Sequence, residues 1–305
     1  MKLLFLGASS FTGYHFVKKI SETNQYKIYC TLTKNLNQYD SIRLRRIKSL
    51  NKKKNIFFIR NIKFGDKKFM HLIKKNSFNI LCMHHAETLN YNDDKKFNFK
   101  KSIKKNVKNI NNVFQILNKK TRIMISNTIF QEIKSKNYTP VNNYGKSKSI
   151  TYEKIKEVCA KFNLKYKSIF ITNPWGIYEE KKLNYYLIKN WLQNKEAIVN
   201  YPKYVRDNIH IDKLTKNYIK MIFSKSKKIN YFPSGYCSLN EEFINALKKK
   251  FEKYFHKKVY IRYNYNLKHT QPMIRINSKN LRKKILIKEN LNSYFKYYKK
   301  LINKF

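Results

Sequence analysis

The first twenty residues constrain the fold of this chain most strongly. Residues 2–6 form an apolar run that ends at Gly7, and residues 11–20 carry apolar side chains at helical spacing. Gly7 would permit a tight turn at the end of a strand, and Gly13 would let the following helix lie close to a sheet. The pattern predicts a strand, a tight turn and a helix.

The alternation of strand and helix patterns continues to about residue 171. Five further strands are predicted, at residues 27–33, 55–60, 78–83, 122–126 and 166–171. Helical spacing of apolar residues separates several of them, most clearly at residues 106–117 and 147–162. Such alternation predicts an α/β fold with a doubly wound parallel sheet of the Rossmann type.

The composition excludes several classes of protein. Hydrophobic residues make up 42% of the 305 residues, which is enough for a packed core and excludes an intrinsically disordered chain. The four cysteines have no CxxC spacing, so we expect neither a disulfide scaffold nor a metal site. The N-terminal apolar run is too short for a secretory signal, and no run approaches the roughly 20 apolar residues that span a membrane. These features predict a cytoplasmic protein.

The chain is strongly basic, with 67 lysine and arginine residues against 18 acidic ones and a formal net charge of +49. A charge of this size is typical of nucleic-acid-binding proteins. Here, however, the lysines are spread along the whole chain and accompany Asn, Ile, Tyr and Phe, the residues of AT-rich codons. We interpret the charge as a compositional bias that solvates the surface, and we do not expect specific nucleic-acid binding.

The first turn has the features of a phosphate-binding loop. It has a glycine at each end, and Ser10 stands where dinucleotide-binding loops usually have a third glycine. Serine is small and can donate a hydrogen bond to phosphate, and the N-terminus of the following helix offers free N–H groups. The residues of the loop predicted to bind NAD or NADP are Gly7, Ser9, Ser10, Phe11, Thr12 and Gly13.

The end of the second predicted strand bears on the choice of cofactor. An acidic residue there would bind the ribose 2′-hydroxyl of NAD, whereas a basic residue would accommodate the 2′-phosphate of NADP. The chain has Lys34 at this point and no carboxylate before Asp40. Lys34 therefore favours NADP slightly, although chance explains a lysine equally well in a chain so rich in lysine.

Tyr144 and Lys148 form the candidate catalytic pair. They are four residues apart, so on a helix their side chains lie on one face. A nearby ammonium favours the phenolate and would bring the pKa of Tyr144 down toward the working range. The same lysine could hold the nicotinamide ribose. A hydroxyl on the preceding strand would orient the substrate oxygen, and the candidates are Thr128 and Ser126.

At these residues the sequence resembles the extended short-chain dehydrogenase/reductases, and within them the NAD-dependent epimerase/dehydratase family, which acts on nucleotide sugars. Residues 7–13 are similar to the GxxGxxG loop of the family, and residues 144–148 to its YxxxK motif. Residues 173–176 resemble its Asn-Pro turn, residues 205–212 its RDxIHVxD segment, and residues 271–275 a further segment with an arginine. These motifs are spread over nearly the whole chain and occur in the family's order.

The resemblance implies roles for further residues. It would bring Asn173, Arg206 and Arg275 to the diphosphate of a nucleoside-diphosphate sugar. The catalytic hydroxyl role falls on Thr128, with Ser126 as the second choice. The other cofactor-binding positions of the family correspond here to Asn61, Ile62, His84, Ala86, Asn106 and Lys148. A homodimer is also expected from the resemblance.

Together these features predict an NAD(P)-binding Rossmann domain over residues 1–172. A smaller, mostly helical substrate-binding region is predicted over residues 173–305, and its elements could interleave with those of the Rossmann domain. The predicted activity is that of an NAD(P)-dependent 4-epimerase or 4-keto reductase of nucleotide sugars. Ile129 and Phe130 stand where the family's 4,6-dehydratases carry an Asp-Glu pair, so dehydration is not expected. The alternative is a non-catalytic protein of the same fold that binds nucleic acid or a protein partner through its lysine-rich surface.

Overall fold

The computed structural model describes residues 1–91, 93–268, 270–278, 281 and 287–302. The chain divides into two compact units. The first unit comprises Met1–Ile171 and Thr215–Phe232, and the second comprises Thr172–Leu214 and Pro233–Phe305. None of the helices that the structure describes has the length and the apolar character needed to span a membrane.

The secondary structure alternates along most of the described chain. The strands are β1 (Lys2–Leu6), β2 (Lys27–Thr31), β3 (Ile56–Ile59), β4 (Ile80–Met83), β5 (Arg122–Thr128), β6 (Tyr166–Ile171), β7 (Asn173–Trp175), β8 (Ala197–Asn200), β9 (Val205–His210), β10 (Asn230–Tyr231), β11 (Tyr236–Leu239), β12 (Ile261–Asn264) and β13 (Ile274–Arg275). The helices are α1 (Phe11–Ser21), α2 (Ser41–Asn51), α3 (Lys67–Lys75), α4 (Phe99–Asn106), α5 (Ile110–Gln115), α6 (Asn143–Lys161), α7 (Leu183–Leu192), α8 (Ile211–Phe223), α9 (Asn240–Phe255) and α10 (Asn292–Ile302).

The first unit is built on a parallel sheet. Among the described residues, seven strands lie in the order β10-β6-β5-β4-β1-β2-β3, and every neighbouring pair is parallel. The strand order runs outward from β1 in both directions, as it does in the doubly wound Rossmann topology. The fold class predicted from the sequence is therefore confirmed.

Helices cover both faces of this sheet. On one face, Leu6 of β1 belongs to a buried cluster that includes Phe69 of α3 and side chains of α5 and α6. On the other face, the ring of Phe5 lies 6.3 Å from that of Tyr218, which stacks on Phe16 of α1 at a centroid distance of 3.8 Å. Because successive side chains of a strand point to opposite faces, the buried residues 3–6 of β1 must all be apolar. The short apolar run at residues 2–6 is thus a central strand buried on both sides.

One predicted helix is interrupted. The spacing predicts a continuous helix over residues 106–117, but Asn106 is the last residue of α4 and α5 begins at Ile110. Between them, Asn109 has a left-handed backbone with φ 50°, and its Nδ2 donates a hydrogen bond to Gly65 O at 2.8 Å. Asparagine tolerates this conformation, so the apolar spacing continues across a break that periodicity alone does not reveal. Asn106 is therefore the last residue of α4 and does not begin the helix that the spacing predicts.

The second unit contains short strands as well as helices. β9 pairs with β7 and β13 in parallel and with β11 in antiparallel fashion, and β8 pairs with β12. Helices α7, α9 and α10 contribute to a core rich in aromatic side chains, in which Trp191 and Phe251 are fully buried. The small sheets were not predicted, because all of their strands except β9 have only two to four residues, which are too few positions to establish a period.

Left-handed backbone conformations fall mainly on asparagine. Among the described residues, the asparagines with positive φ are Asn24, Asn61, Asn90, Asn109, Asn137, Asn163 and Asn194. The whole chain has only six glycines. Apart from glycine, asparagine is one of the residues that adopt this conformation most easily. In this protein, asparagine thus occupies left-handed turn positions at which other proteins often have glycine.

Candidate active site

The loop from Gly7 to Gly13 leads from β1 into α1 as a tight turn. Gly7 has φ +87°, and its carbonyl oxygen accepts hydrogen bonds from Ser10 N at 3.1 Å and from Ser10 Oγ at 2.8 Å. Ser10 is also the N-cap of α1, because its Oγ accepts a hydrogen bond from Gly13 N at 3.1 Å. The N–H groups of Phe11 and Thr12 lie in the first turn, where backbone donors have no intrahelical acceptor. The serine that replaces a glycine therefore fixes both the turn and the start of the helix.

The two glycines of the loop have no room for a side chain. A Cβ on Gly7 would lie 2.9 Å from the carbonyl oxygen of His84, and a Cβ on Gly13 would lie 2.3 Å from that of Gly7. The loop backbone therefore packs directly against the end of β4. Dinucleotide-binding loops use glycine for this kind of close approach.

Two histidines follow β4 and contact different parts of the first unit. His84 Nε2 lies 2.9 Å from Thr12 Oγ1, and His85 Nε2 lies 3.1 Å from the backbone oxygen of Asn106. Burial lowers the pKa of His84 to about 3 and that of His85 to about 4, and the charge of Lys148 lowers both pKa values further. Both rings are therefore neutral at neutral pH, and His84 joins the end of β4 to the loop.

Asn106 holds the segment that follows β4. Its side chain is 2% exposed, Oδ1 accepts a hydrogen bond from Glu87 N at 3.0 Å, and Nδ2 lies 3.5 Å from Thr151 Oγ1 of α6. Ala86 is half-buried and lies in this segment. Asn106 thus connects α4, α6 and the chain beside Ala86.

The residues expected near the adenosine lie beyond β2 and β3. Lys34 is exposed. Asn61 has φ 55°, and its Nδ2 donates a hydrogen bond to Asn35 Oδ1 at 2.6 Å. Ile62 is buried, and its N–H donates to Leu32 O at 3.0 Å. These hydrogen bonds bring Asn61 and Ile62 to the segment in which Lys34 lies.

Tyr144 and Lys148 lie in the first two turns of α6. The helix begins after its N-cap Asn142, whose Oδ1 accepts a hydrogen bond from Gly145 N at 2.9 Å. Lys148 is 5% exposed, and its Nζ donates a hydrogen bond to the backbone oxygen of Ser126 in β5 at 2.8 Å. Burial lowers the pKa of Lys148 to about 8. The ammonium group is thus fixed at the carboxyl end of β5.

The ring of Tyr144 is packed against two other aromatic rings. Tyr91 and Phe97 make edge contacts with it at centroid distances of 5.4 and 5.9 Å. Burial raises the pKa of Tyr144 above its usual value, and the neighbouring Tyr91 raises it further. From the sequence, Lys148 is expected to lower this pKa. In the protein alone, burial has the larger effect and the shift has the opposite sign.

Both candidate hydroxyl groups lie in the last three residues of β5. Ser126 is buried and Thr128 is half-buried, and because they are two residues apart their side chains point to the same face of the sheet. Thr128 Oγ1 accepts a hydrogen bond from Phe130 N at 3.3 Å, and Thr128 N donates one to Gln131 Oε1 at 3.1 Å. A hydroxyl that accepts from a backbone N–H keeps its proton for a ligand oxygen.

In the second unit, Arg206 and Arg275 occupy paired positions in β9 and β13. The two residues are 8% and 5% exposed. Arg206 Nη1 donates hydrogen bonds to the backbone oxygens of residues 205, 272 and 273, and its guanidinium lies 4.3 Å from the ring centroid of Tyr204. Burial lowers the pKa of Arg206 to about 10, and the charge of Arg275 also lowers it. Two neighbouring buried guanidinium groups could together bind an anion such as a phosphate.

Asn173 lies on the same small sheet as these arginines. It is the first residue of β7 and pairs with Asn208 of β9. Asn208 and Arg206 are two residues apart, so their side chains lie on one face of β9, and paired residues of adjacent strands share that face. The sheet thus brings Asn173, Arg206 and Arg275 together.

Comparison with known proteins gives matches among solved structures. No protein-family model matches the sequence, and no curated protein matches it. The UDP-glucuronic acid 4-epimerase of Bacillus cereus, in complex with UDP-glucuronic acid and NAD, is 15% identical with a TM-score of 0.75, covering 100% of this chain and 99% of that one. The UDP-glucose 4-epimerase of Thermotoga maritima, with UDP-glucose, is 16% identical with a TM-score of 0.73, covering 99% and 100%. The dTDP-glucose 4,6-dehydratase of Bacillus anthracis, in complex with NAD, is 16% identical with a TM-score of 0.74, covering 98% and 97%.

The chain has the fold of the NAD-dependent epimerase/dehydratase family. The resemblance seen in the motifs is therefore confirmed at the level of the fold. The coverage of both chains is nearly complete, so the epimerase/dehydratase fold extends over both units.

Gly145 has a steric role that the spacing of Tyr144 and Lys148 alone does not reveal. A Cβ on Gly145 would lie 2.0 Å from the carbonyl oxygen of Phe130, so the first turn of α6 lies directly on the segment after β5. Val141 N donates a hydrogen bond to the same oxygen at 2.9 Å. These contacts fix the helix that carries Tyr144 against the segment that follows Thr128. The scarcity of glycine in the chain was the one signal that pointed to this position.

Arg46 is a second residue that sequence reasoning missed. It lies in α2, is 0% exposed, and its Nη1 donates a hydrogen bond to the backbone oxygen of Ser9 at 3.1 Å. Its guanidinium lies 5.9 Å from the ring centroid of Phe11. Four of the eleven residues of α2 are basic, so nothing in the sequence distinguishes this one.

A buried carboxylate holds the Asn-Pro turn of the epimerase/dehydratase fold in the second unit. Glu179 Oε2 accepts a hydrogen bond from Gly176 N at 3.3 Å, and Oε1 accepts from the hydroxyls of Tyr298 at 2.7 Å and Tyr294 at 3.3 Å. Burial raises the pKa of Glu179 to about 7, although these hydrogen bonds and Lys182 oppose the shift. Glu179 thus ties the turn to α10 and is partly protonated near neutral pH.

The stability of the protein is expected to fall as the pH rises from about 4.5 to about 7, the range between the ordinary and the folded pKa of Glu179. The pKa of Glu179 is higher in the folded chain than its ordinary value of 4.5, so its contribution is full below pH 4.5 and is lost as the pH rises through about 7. Urea unfolding between pH 5 and 8 should show a decline, of roughly 3 kcal/mol at most, that Glu179→Gln removes. The exposed Glu196 serves as the control, and an equal change in Glu196→Gln would contradict this expectation.

Proposed function

We propose that the protein is an NAD(P)-dependent oxidoreductase or epimerase that acts at the 4-position of a nucleotide sugar. The observation that carries this proposal is the position of Tyr144 and Lys148 in the first two turns of α6, with Lys148 bound to the backbone of Ser126 at the end of β5. A tyrosine beside an ammonium group can exchange a proton with a substrate hydroxyl. Solved structures of the same fold that contain NAD or a UDP sugar support it.

The residues around the loop fit a dinucleotide. Gly7 and Gly13 have no side chains, so a ligand can approach the loop backbone closely. The N–H groups at the N-terminus of α1 could bind the pyrophosphate. Around the ends of β4 and β5, described residues have buried polar atoms without a hydrogen-bond partner: His84 Nδ1, His85 Nδ1, Asn127 Oδ1 and Nδ2, and Gln131 Nε2. An unpaired buried polar atom is unfavourable, so these atoms suit a polar ligand.

Tyr144 would act as the base and acid of the reaction. A bound nicotinamide would accept a hydride from the sugar C4 or deliver one to a 4-keto group. The hydroxyl of Tyr144 would exchange its proton with the oxygen on that carbon, and Thr128, or Ser126 as the second candidate, would donate a hydrogen bond to the same oxygen. Burial raises the pKa of Tyr144. The proton exchange therefore requires positive charge beside the ring, which Lys148 would contribute in the reacting complex.

The second unit would bind the nucleoside diphosphate. Arg206 and Arg275 place two buried guanidinium groups on neighbouring strands, and Asn173 lies on the same sheet. A guanidinium matches the paired oxygens of a phosphate. Arg206 Nη1 already donates to backbone oxygens and Nη2 donates to Gln271 Oε1, so only the other N–H groups of Arg206 would meet the ligand. The UDP sugars in the structures of the same fold support this class of substrate.

The proposal includes both an epimerase and a 4-keto reductase, because both reactions use the same residues. Two of the solved structures named above contain NAD, whereas Lys34 favours NADP. Ile129 and Phe130 place no carboxylate after Thr128, so a dehydratase is not proposed, although one has this fold. A cytoplasmic homodimer remains our expectation for the assembly.

The test is to denature the purified protein by heat and to assay the supernatant for NAD(H) and NADP(H). Stoichiometric NAD(H) would support an epimerase, which regenerates its cofactor in each cycle, and would contradict the preference for NADP. A protein that releases no cofactor but binds NADPH tightly would support a 4-keto reductase. A protein that neither releases nor binds either cofactor would contradict the proposed function and favour the non-catalytic alternative.

A further inference from the structure

We propose that Asp207 is a positioning residue that sets the place of Arg275 beside Arg206 for the diphosphate of the substrate. This proposal rests on the proposed function, because it assumes that the two arginines bind a nucleoside diphosphate. It assigns a role to a buried carboxylate that would not itself touch the ligand.

Few backbone pairs hold the strand that carries Arg275. β13 has two residues, and in parallel register Ile274 pairs with Val205 and Arg275 with Arg206. Val205 N donates a hydrogen bond to Met273 O at 2.8 Å, just before the strand begins. A strand this short offers few ladder hydrogen bonds, so side-chain contacts must contribute to its position on β9.

Arg206 holds the backbone that precedes β13. Its Nη1 donates hydrogen bonds to the backbone oxygens of Pro272 at 3.1 Å and Met273 at 2.9 Å, and its Nη2 donates to Gln271 Oε1 at 3.3 Å. One of the two proposed phosphate-binding side chains thus fixes the backbone that leads to the other. All of these contacts precede Arg275, so they do not fix the backbone that follows it.

Asp207 holds the backbone that follows β13. The residue is 0% exposed, and its Oδ2 accepts a hydrogen bond from Asn277 N at 3.0 Å, two residues after Arg275. Its Oδ1 accepts a hydrogen bond from Gly235 N at 2.6 Å, in the turn before β11. Because adjacent side chains of a strand point to opposite faces, Arg206 and Asp207 leave β9 on different faces. β13 is therefore held at both ends by neighbouring residues of β9.

The turn before β11 gives the carboxylate a fixed point of attachment. A Cβ on Gly235 would lie 2.2 Å from the carbonyl oxygen of Asn208, so this turn packs directly on β9. Nδ2 of Asn277 donates a hydrogen bond to Pro233 O at 2.9 Å. The segment after β13 is thus joined to this turn, and Asp207 contacts the backbone of both.

Two other roles for Asp207 predict different results. A carboxylate that only offset the charge of the arginines would oppose an anion, so its neutralisation would strengthen diphosphate binding. A carboxylate that only stabilised the fold would have an effect on affinity that does not depend on Arg275. A positioning residue acts through Arg275, so its effect on affinity requires that side chain.

The experiment compares Asp207→Asn with Asp212→Asn, each in the wild type and in Arg275→Met. Asparagine has the shape of aspartate, but its single oxygen can accept from only one of the two N–H groups, and its amide nitrogen would face the other. Asp212 belongs to the same segment, and its side chain is 75% exposed. The wild type is first titrated with UDP, dTDP, GDP and CDP by calorimetry, or by ligand-observed NMR for weak binding, and the tightest ligand is kept.

Asp207→Asn should weaken the binding of this diphosphate about 10- to 100-fold, because a buried N–H group without its acceptor would displace the backbone beside Arg275. The affinity for NADH, which would bind to the first unit, should change less than about 2-fold. In Arg275→Met, the further substitution Asp207→Asn should weaken diphosphate binding less than about 3-fold. Asp212→Asn should match its parent protein in each measurement.

Three outcomes would overturn the assignment of Asp207. These are an unchanged or stronger diphosphate affinity in Asp207→Asn, the same loss with and without Arg275, and an equal loss of NADH affinity. Thermal melting shows whether each variant is folded. If Asp207→Asn is not folded, Asp207→Ser, which has a smaller side chain with one acceptor oxygen, is compared in the same two backgrounds. A wild-type protein that binds none of the four diphosphates would contradict the proposed function itself.

Discussion

Tyr144→Phe is expected to reduce turnover of the proposed nucleotide-sugar substrate about 1,000-fold or more while leaving cofactor affinity within about twofold of the wild type. The substitution removes only the hydroxyl that would carry the proton. The ring contacts with Tyr91 and Phe97 would remain, so α6 should keep its position. Epimerisation or NADPH-dependent reduction of the 4-keto sugar is followed in parallel with cofactor binding.

Tyr152 provides the matched control for this substitution. It lies two turns later on α6, and its hydroxyl is 2.9 Å from Asn230 Oδ1 and 3.3 Å from Ser168 Oγ. Tyr152→Phe should lower the free energy of unfolding by about 1 kcal/mol and leave turnover unchanged. Full activity of Tyr144→Phe would refute the proposed mechanism.

Gly145→Ala is expected to impair both stability and turnover. The added Cβ would lie 2.0 Å from the carbonyl oxygen of Phe130, and neither backbone segment can yield without moving the other. We expect the free energy of unfolding to fall by about 1–3 kcal/mol. Displacement of Tyr144 relative to Thr128 should lower turnover on the order of 100-fold. Chemical denaturation and steady-state kinetics measure the two effects.

The neighbouring Lys146 is the control for the loss at Gly145. Lys146 is exposed on the same turn of α6, so Lys146→Ala should change neither property measurably. If Gly145→Ala keeps wild-type turnover, the contact between α6 and the segment after β5 does not set the geometry of the site.

The fold of the first unit could be predicted because its central strands are buried on both faces. Residues 3–6 and 80–83 therefore appear as uninterrupted apolar runs between helical patterns. The break at Asn109 could not be predicted, since the apolar spacing is the same on both sides of it. The return of residues 215–232 to the first unit depends on long-range packing, such as the stack of Tyr218 on Phe16, that no local pattern encodes.

The candidate site could be predicted where it depends on spacing within one element. The Tyr144–Lys148 pair needs only a helix, and α6 provides it. Arg46 depends on how α2 packs against the loop, and the pKa of Tyr144 depends on burial beneath Tyr91 and Phe97. Such contacts join residues that are distant in sequence, so neither could be inferred from a single chain without its structure.

The use of asparagine for left-handed turns changes what a glycine signifies in this protein. Positions that need a left-handed backbone but have room for a side chain can be occupied by asparagine, as at Asn61 and Asn109. Gly13 and Gly145 do not have a positive φ. They must be glycine because the surrounding backbone leaves no space for a Cβ atom. For protein redesign, the asparagines mark where the chain bends and could become glycine without a clash. The two glycines mark volumes that must stay empty.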